Sequence, residues 1–366
     1  MTRTVGAVVL ATAIVVACAS FGLLGSVAGA AQGTPGTPLP PSQIQVTKDV
    51  FFADAGGVRL TLDVFSPQES APNRPAVVLI HGGAWGTGRA RDLTTEGKLI
   101  ARQGWVAFSL NYRLADQTPT PWPDELTDVQ RGIRWVGANA ATYGADPQKL
   151  AVMGLSAGGH LAALVGALGT EADGTGVPIS DPNPPVKVMA VAAWSPPTRL
   201  AGLVPDASGD PPDCSHDKKC AQFWRLPLVT NFVACEPAAC PDKYRQASPT
   251  DRLRAGASPV WFSNSTDEIT GFAQAKAYDQ ALTAAAVPHT FRVVEGNQHA
   301  DEYRSKVWNE MMPWLAAKLG APDPPPVSFA ARNILLSPLV VISVVVGLAI
   351  LITLLAVALR DDEGDL

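Results

Sequence analysis

LAVMGLSAGGHLAALVG, residues 150–166, sets one serine among small residues, between a strand-like run (Leu150–Gly154) and a helix-like run that starts near His160 and continues to Leu168. A strand that turns sharply into a helix forces the residue at the corner into strained backbone. Neighbouring side chains larger than hydrogen would there collide with the strand or the helix. Gly154-Leu155-Ser156-Ala157-Gly158 is G-x-S-x-G in that setting. The small neighbours let Ser156 stand at the sheet's edge with its hydroxyl exposed. The first amides of the following helix, that of Ala157 above all, point at any oxyanion formed there. Ser156 is therefore the expected nucleophile.

A second glycine-rich turn, His81-Gly82-Gly83-Ala84-Trp85, follows the apolar run Ala76–Ile80. Glycines at such a turn let backbone N–H groups approach a developing negative charge. Gly82 and Gly83 are the expected oxyanion donors beside Ala157, and Trp85 is expected to wall the acyl pocket. The chain has five histidines. His81 belongs to this turn, His160 lies one turn into the helix after Ser156, His216 sits in a proline-rich interval, and His289 leads into the last strand run. His299, in Glu295-Gly296-Asn297-Gln298-His299, comes after that run and before the final helix, where the chain order serine, acid, histidine puts the general base. The acid is expected in Asn264-Ser265-Thr266-Asp267-Glu268, with Asp267 orienting His299 and Glu268 as the nearest rival.

Strand and helix signals alternate on either side of this region. Ile44–Phe52 and Val58–Phe65 alternate apolar with polar residues, as antiparallel strands do. Ala76–Ile80, Trp105–Leu110, Leu150–Gly154, Val186–Trp194, Pro259–Asn264 and Thr290–Val294 are more continuously apolar, as buried parallel strands are. Helical patterns fall at Leu93–Gln103, Asp124–Tyr143, His160–Leu168, Phe272–Ala286 and Asp301–Leu319. This order predicts an α/β architecture, a mostly parallel eight-stranded sheet with helices on both faces, over residues 42–320. Residues 196–254 interrupt the rhythm with prolines, aromatics and Cys214, Cys220, Cys235 and Cys240. They read as an insertion that is either a lid over the strand ends or a loop remote from the site. Four clustered cysteines suit two disulfides in an oxidising compartment, with the pairing open. Zinc is the competing reading, but the spacing lacks a CxxC knuckle, so no metal is expected.

The ends are of another kind. Residues 1–30 read as a secretory signal, apolar behind Arg3; the lipobox-like Val15-Val16-Ala17-Cys18 offers lipoprotein processing after residue 17 as an alternative. Residues 31–41 and 321–333 are linkers rich in proline or glycine. Residues 334–359 contain an uncharged run of 25 positions, Leu335–Leu359. At about 1.5 Å per residue that run suffices to cross a hydrocarbon core of about 30 Å, so a single C-terminal transmembrane helix is expected. The acidic tail, residues 360–366, is expected inside the cell and the folded body outside, anchored to the membrane of what composition suggests is a bacterium. A net charge of −5 offers no basic surface for nucleic acid.

With these residues in view, the chain resembles the serine esterases of the α/β-hydrolase superfamily. Within it, the bacterial carboxylesterases related to xylan acetyl and feruloyl esterases and to the hormone-sensitive-lipase group are the most similar branch. The resemblance rests on His81-Gly82-Gly83-Ala84-Trp85, Asn111-Tyr112-Arg113-Leu114, Asp128-Val129, Arg134-Trp135-Val136, Tyr143-Gly144-Ala145-Asp146-Pro147 and Gly154 to Ala162. It departs downstream, where Ser263-Asn264-Ser265 and Thr270-Gly271 replace the usual His-Gly pair before the acid and the proline after it. The resemblance implies an α/β-hydrolase fold and hydrolysis of a small-molecule or polysaccharide-linked ester without a cofactor. Asn111 and Asp128 would be structural. A small-amide hydrolase of the formamidase type and a catalytically silent binding module are the alternatives on the same fold.

Overall fold

In a computed structural model the structure describes residues 36–329 except 207–210, 215–217 and 225. The expected signal segment with Cys18, the transmembrane run with its tail, and His216 lie outside the described residues. Among the described residues no helix is long and apolar enough to cross a membrane.

All eight expected strands form: β1 (Ile44–Ala55), β2 (Val58–Pro67), β3 (Arg74–Ile80), β4 (Val106–Leu110), β5 (Ala145–Leu155), β6 (Ala190–Trp194), β7 (Val260–Ser265) and β8 (His289–Val294). They make one sheet in the order β1-β2-β4-β3-β5-β6-β7-β8. β1 and β2 pair antiparallel, as do β2 and β4, and every other pair is parallel. The helices are α1 (Thr94–Arg102), α2 (Pro121–Asn139), α3 (Ala157–Leu168), α4 (Lys218–Trp224), α5 (Leu228–Val233), α6 (Pro241–Ala247), α7 (Pro249–Arg252), α8 (Phe272–Ala284) and α9 (Arg304–Leu319). This is the mostly parallel eight-stranded sheet with helices that the alternation of signals predicts, and it agrees with the α/β-hydrolase fold that the resemblance implies.

The sheet is covered on both faces, and alternate residues of one strand serve the two cores. Ala76, Val78 and Ile80 of β3 join the core with α2, α3 and α8, while Val77 and Leu79 join the core with α1 and α9. A strand buried on both faces keeps few polar positions, so β4 and β6 read as mostly apolar runs, whereas β7 ends in the buried polar residues Ser263, Asn264 and Ser265. β6 begins at Ala190, later than the apolar run suggests, because the Val186 N–H donates to Thr170 Oγ1 (3.0 Å) and the Val186 carbonyl accepts from the same hydroxyl (3.0 Å). α2 ends at Asn139 and passes into a short 3-10 turn, Ala140–Tyr143, which Gly144 closes in the left-handed region at φ 77°.

α3 is buried on every side from Ala157 to Ala167, and its start, which carries Ser156, sits at the carboxyl end of the central strand β5. Both ends of the described chain return to one place. Leu39 and Arg102 exchange hydrogen bonds, Leu39 N donating to the Arg102 carbonyl (2.6 Å) and Arg102 Nε to the Leu39 carbonyl (2.8 Å). The adjacent Gln103 donates to the Pro325 carbonyl (2.7 Å).

Candidate active site

Ser156 occupies φ 55°, ψ −120°, a strained conformation that costs on the order of 1–3 kcal/mol for a residue with a Cβ. The surroundings impose it: Ser156 N donates to the Trp194 carbonyl (2.8 Å), and the Ser156 carbonyl accepts from His160 N (2.9 Å). The glycines fit this corner as the sequence predicts. A Cβ on Gly154 would lie 2.0 Å from the Gly158 carbonyl oxygen, and one on Gly158 would lie 2.1 Å from that of Ile80. The turn after β3 passes directly over Ser156, since a Cβ on Gly82 would meet the Leu155 carbonyl oxygen at 2.9 Å and Ser156 Cβ at 3.2 Å. Gly83, at φ 116°, accepts at its carbonyl from Gly86 N and Thr87 N. Gly82, Gly83, Ser156 and His299 line one cavity of about 800 Å³, and buried Ala157 begins α3 at its edge.

The acid differs from the sequence expectation. Asp267 continues the ladder beyond β7, its N–H donating to the Gly296 carbonyl (2.9 Å), and its side chain is exposed. The chain then turns inward, and Glu268 is the carboxylate that meets His299, with Nδ1 to Oε2 at 2.5 Å. Glu268 is 1% exposed; its Oε1 accepts from Ser265 N (2.6 Å) and Ser195 Oγ (2.9 Å). A carboxylate at Nδ1 keeps the proton on that nitrogen and leaves Nε2 as the acceptor, which is the tautomer a general base needs. The sequence carries Asp267 and Glu268 side by side, and only the end of the ladder decides which of them points in.

Trp85 also departs from expectation. It is fully buried and outside the cavity lining, stacked on Phe232 with centroids 4.7 Å apart, and its Nε1 donates to His160 Nδ1 (3.2 Å). Trp85 supports the site from beneath. His160 donates through Nε2 to the Ala247 carbonyl (2.7 Å), and burial pushes its pKa down to about 4, so it stays neutral. His81 lines the cavity, stacks on Tyr112 (4.2 Å) and donates through Nδ1 to the Gly82 carbonyl (2.8 Å); burial pushes its pKa down to about 4 as well. His289 bridges the Val287 carbonyl and Asp279, away from the cavity. Asn111 and Asp128 are structural as expected: Asn111 accepts from Ala90 N (2.8 Å), and buried Asp128 accepts from the Arg113 guanidinium (2.7 Å).

The insertion forms a wall of the cavity, which favours the lid over the remote loop. Phe223, Leu226, Leu228 and, from the body, Ile269 make an apolar side. The lining also carries Asp92, Glu96 and Asp301. Burial pushes the Glu96 carboxyl above its usual range, opposed by Arg304, which donates to it from Nε at 2.5 Å. Trp224 Nε1 donates to the Ile269 carbonyl, and Arg199 pairs with buried Asp213, so α4 and its approach are fastened beside the Glu268 loop. The clustered cysteines pair as neighbours, Cys214 with Cys220 and Cys235 with Cys240. That pairing replaces the zinc alternative.

Residues 62–282, more than half of the chain, match the protein family described as BD-FAE. Among curated proteins, the chain is similar to the "Probable carboxylic ester hydrolase LipM" of Mycobacterium tuberculosis, at 29% identity over 77% of this chain and 63% of that protein. It is also similar to "Esterase LipQ" of the same organism, at 28% identity over 73% of this chain and 60% of that protein. The chain thus spans about three fifths of the length of these two relatives. Among solved structures, a truncated carbohydrate esterase from gut microbiota shares the fold with a TM-score of 0.62 at 20% identity, covering 78% of this chain and 99% of its own.

Proposed function

Since the chain belongs to the BD-FAE family, we propose that it is a carboxylic-ester hydrolase that works through a serine acyl-enzyme. The observation that carries the reading is one cavity lined both by Ser156 on its strained corner and by His299, which the buried Glu268 holds at Nδ1. Ser156 Oγ attacks the ester carbonyl while His299 Nε2 takes its proton, and Glu268 stabilises the imidazolium that forms. Backbone amides of Ala157, Gly82 and Gly83 hold the tetrahedral oxyanion. His299 then protonates the departing alcohol, the Ser156 ester remains, and a water deprotonated by His299 releases the carboxylic acid and restores Ser156. The apolar side of the cavity suits the hydrocarbon part of a small or polysaccharide-linked ester.

The test is fluorophosphonate labelling followed by peptide mass spectrometry, with p-nitrophenyl acetate turnover in parallel. Labelling at Ser156, lost in Ser156→Ala and His299→Ala, is expected; turnover unchanged in Ser156→Ala would overturn the assignment.

The same proposal places the folded body outside the cytoplasm, tethered by Leu335–Leu359. Three features support this placement: the uncharged run itself, the signal-like start, and paired cysteines that suit an oxidising compartment. Both described ends leaving the body beside Arg102 and Gln103 would set one face toward the bilayer. Recovery of the full chain in the membrane fraction, with the body cleaved by protease added outside the cell, is the expected result; recovery in the soluble cytoplasm refutes it.

A further inference from the structure

We propose that Ser195 and Tyr303 are positioning residues of this active site, joined in a hydroxyl relay that orients Glu268 and fixes the loop bearing His299. The inference rests on the ester-hydrolase reading and adds residues that the serine, acid, histidine pattern does not contain. Ser195 follows β6 directly and is completely buried. Its hydroxyl lies 2.9 Å from Glu268 Oε1, 2.8 Å from the Tyr303 hydroxyl and 2.9 Å from Ala300 N. Tyr303, also fully buried, lies in addition 3.1 Å from Ser263 Oγ and 3.1 Å from the Ser263 carbonyl.

The shortest contacts of this cluster favour one arrangement of its protons. An ionised carboxylate only accepts, so the single Ser195 proton goes to Glu268, where the charge makes it the strongest bond open to it. Ser195 Oγ then accepts from Ala300 N and, across the shorter 2.8 Å contact, from Tyr303, whose other acceptor within reach is the Ser263 carbonyl at 3.1 Å. Ser263 Oγ donates in turn to the Tyr303 oxygen. In that arrangement the hydroxyls run from Ser263 to Tyr303 to Ser195 to Glu268, and successive donors polarise one another. Burial raises the Tyr303 pKa well above the usual phenol value, so the phenol keeps the proton that the relay needs.

The backbone bears on the same role. Ser195 is held at φ 49°, a region where glycine is at ease and a residue with a Cβ is strained. Its N–H donates to the Ser263 carbonyl (2.8 Å), which locks that conformation to β7. The side chain kept at this strained point is the one that reaches the acid. Because the same oxygen receives the amide of Ala300, the residue after His299, one hydroxyl ties the acid to the loop of the base. With Ser195 Oγ and Ser265 N both fixed on Oε1, Oε2 retains one orientation, toward His299 Nδ1.

The test uses Ser195→Gly and Tyr303→Phe, each alone and in a Glu268→Ala background, with kcat and KM for p-nitrophenyl butyrate and thermal melting as a check on folding. Ser195→Gly removes the hydroxyl while suiting the backbone, and Tyr303→Phe removes one oxygen atom. Ser195→Gly is expected to lower kcat about 10- to 100-fold, the range for a hydrogen bond to a charged group, with KM within about twofold. Tyr303→Phe, one bond further out, should lower kcat about 3- to 10-fold. In the Glu268→Ala background neither change should lower kcat further, because the relay acts only through that carboxylate. Unchanged kcat in both single variants, or equal losses with and without Glu268, would overturn the relay. Loss of Ser156 labelling by fluorophosphonate in the wild-type protein would instead overturn the ester-hydrolase reading.

Discussion

Exchanging Glu268 for glutamine while leaving its neighbour intact separates the two carboxylates that stand side by side in the chain. In Glu268→Gln the side-chain oxygen would turn toward Ser195 Oγ and Ser265 N, which both donate to Oε1, and the new NH2 group would face His299 Nδ1. Two donors cannot share that contact. The imidazole therefore moves its proton to Nε2, the nitrogen that must accept from Ser156, and the negative charge that stabilises the imidazolium is lost as well. The equivalent exchange in a serine-protease triad lowers kcat by about 10,000-fold, about 5 kcal/mol of barrier at 1.36 kcal/mol per decade, and a loss of that order is expected here. Stability should change far less, because the hydrogen bonds re-form in the other tautomer. Asp267 is exposed, and Asp267→Asn should leave both rate and stability within about 0.5 kcal/mol of wild type. The assay is kcat/KM on a short p-nitrophenyl ester, alongside thermal melting. A loss above about tenfold in Asp267→Asn, with Glu268→Gln keeping more than about a tenth of the rate, would refute the reasoning.

Gly158→Ala would place a Cβ 2.1 Å from the Ile80 carbonyl oxygen and 2.4 Å from that of His81, so it should abolish turnover and depress melting sharply; a normal melt would mean that β3 and α3 are further apart than described. Burial lowers the His160 pKa to about 4 in the folded protein from 6.5 when unfolded, so the unfolded chain binds more protons between those values and His160 removes stability as pH falls through that window. The loss is about 3 kcal/mol when complete, and denaturant titrations of His160→Gln should show a shallower decline; the opposing effect of buried Glu96 and Glu125, whose pKa values burial raises, is common to both proteins and cancels in the difference. Phe223→Ala and Leu226→Ala should raise KM for hexanoyl esters about fourfold or more while leaving acetyl esters little changed, since about 0.8 kcal/mol accompanies each buried methylene. Equal effects on both esters would remove the lid from acyl binding.

The relation between the chain and its fold can be followed residue by residue. The strand runs were legible because antiparallel β1 and β2 alternate apolar with polar residues, and strands buried on both faces are mostly apolar. The corner at Ser156 was legible because glycine spacing records how closely β3, β5 and α3 approach. His299 was legible from its place between the last strand and the last helix. Asp267 misled because composition ranks two adjacent carboxylates equally, whereas the Asp267 N–H bond to Gly296 turns one outward and the next inward. Trp85 misled for a related reason: a large aromatic beside the oxyanion turn can face the cavity or the core, and the stack with Phe232 of the insertion draws it inward.

By itself, then, the sequence determined the order of elements, the layered sheet, and which serine and histidine meet in the candidate site, since each depends on periodicity, local sterics or place in the chain order. Tertiary structure decided which carboxylate serves His299, that Ser195 and Tyr303 stand behind it, which cysteines pair, and that the insertion walls the cavity. Apart from the two disulfides, which join near neighbours, those contacts join residues far apart in the chain, such as Ser195 and Tyr303, separated by 108 positions. Their geometry follows from how strands end and helices pack, which no local pattern records.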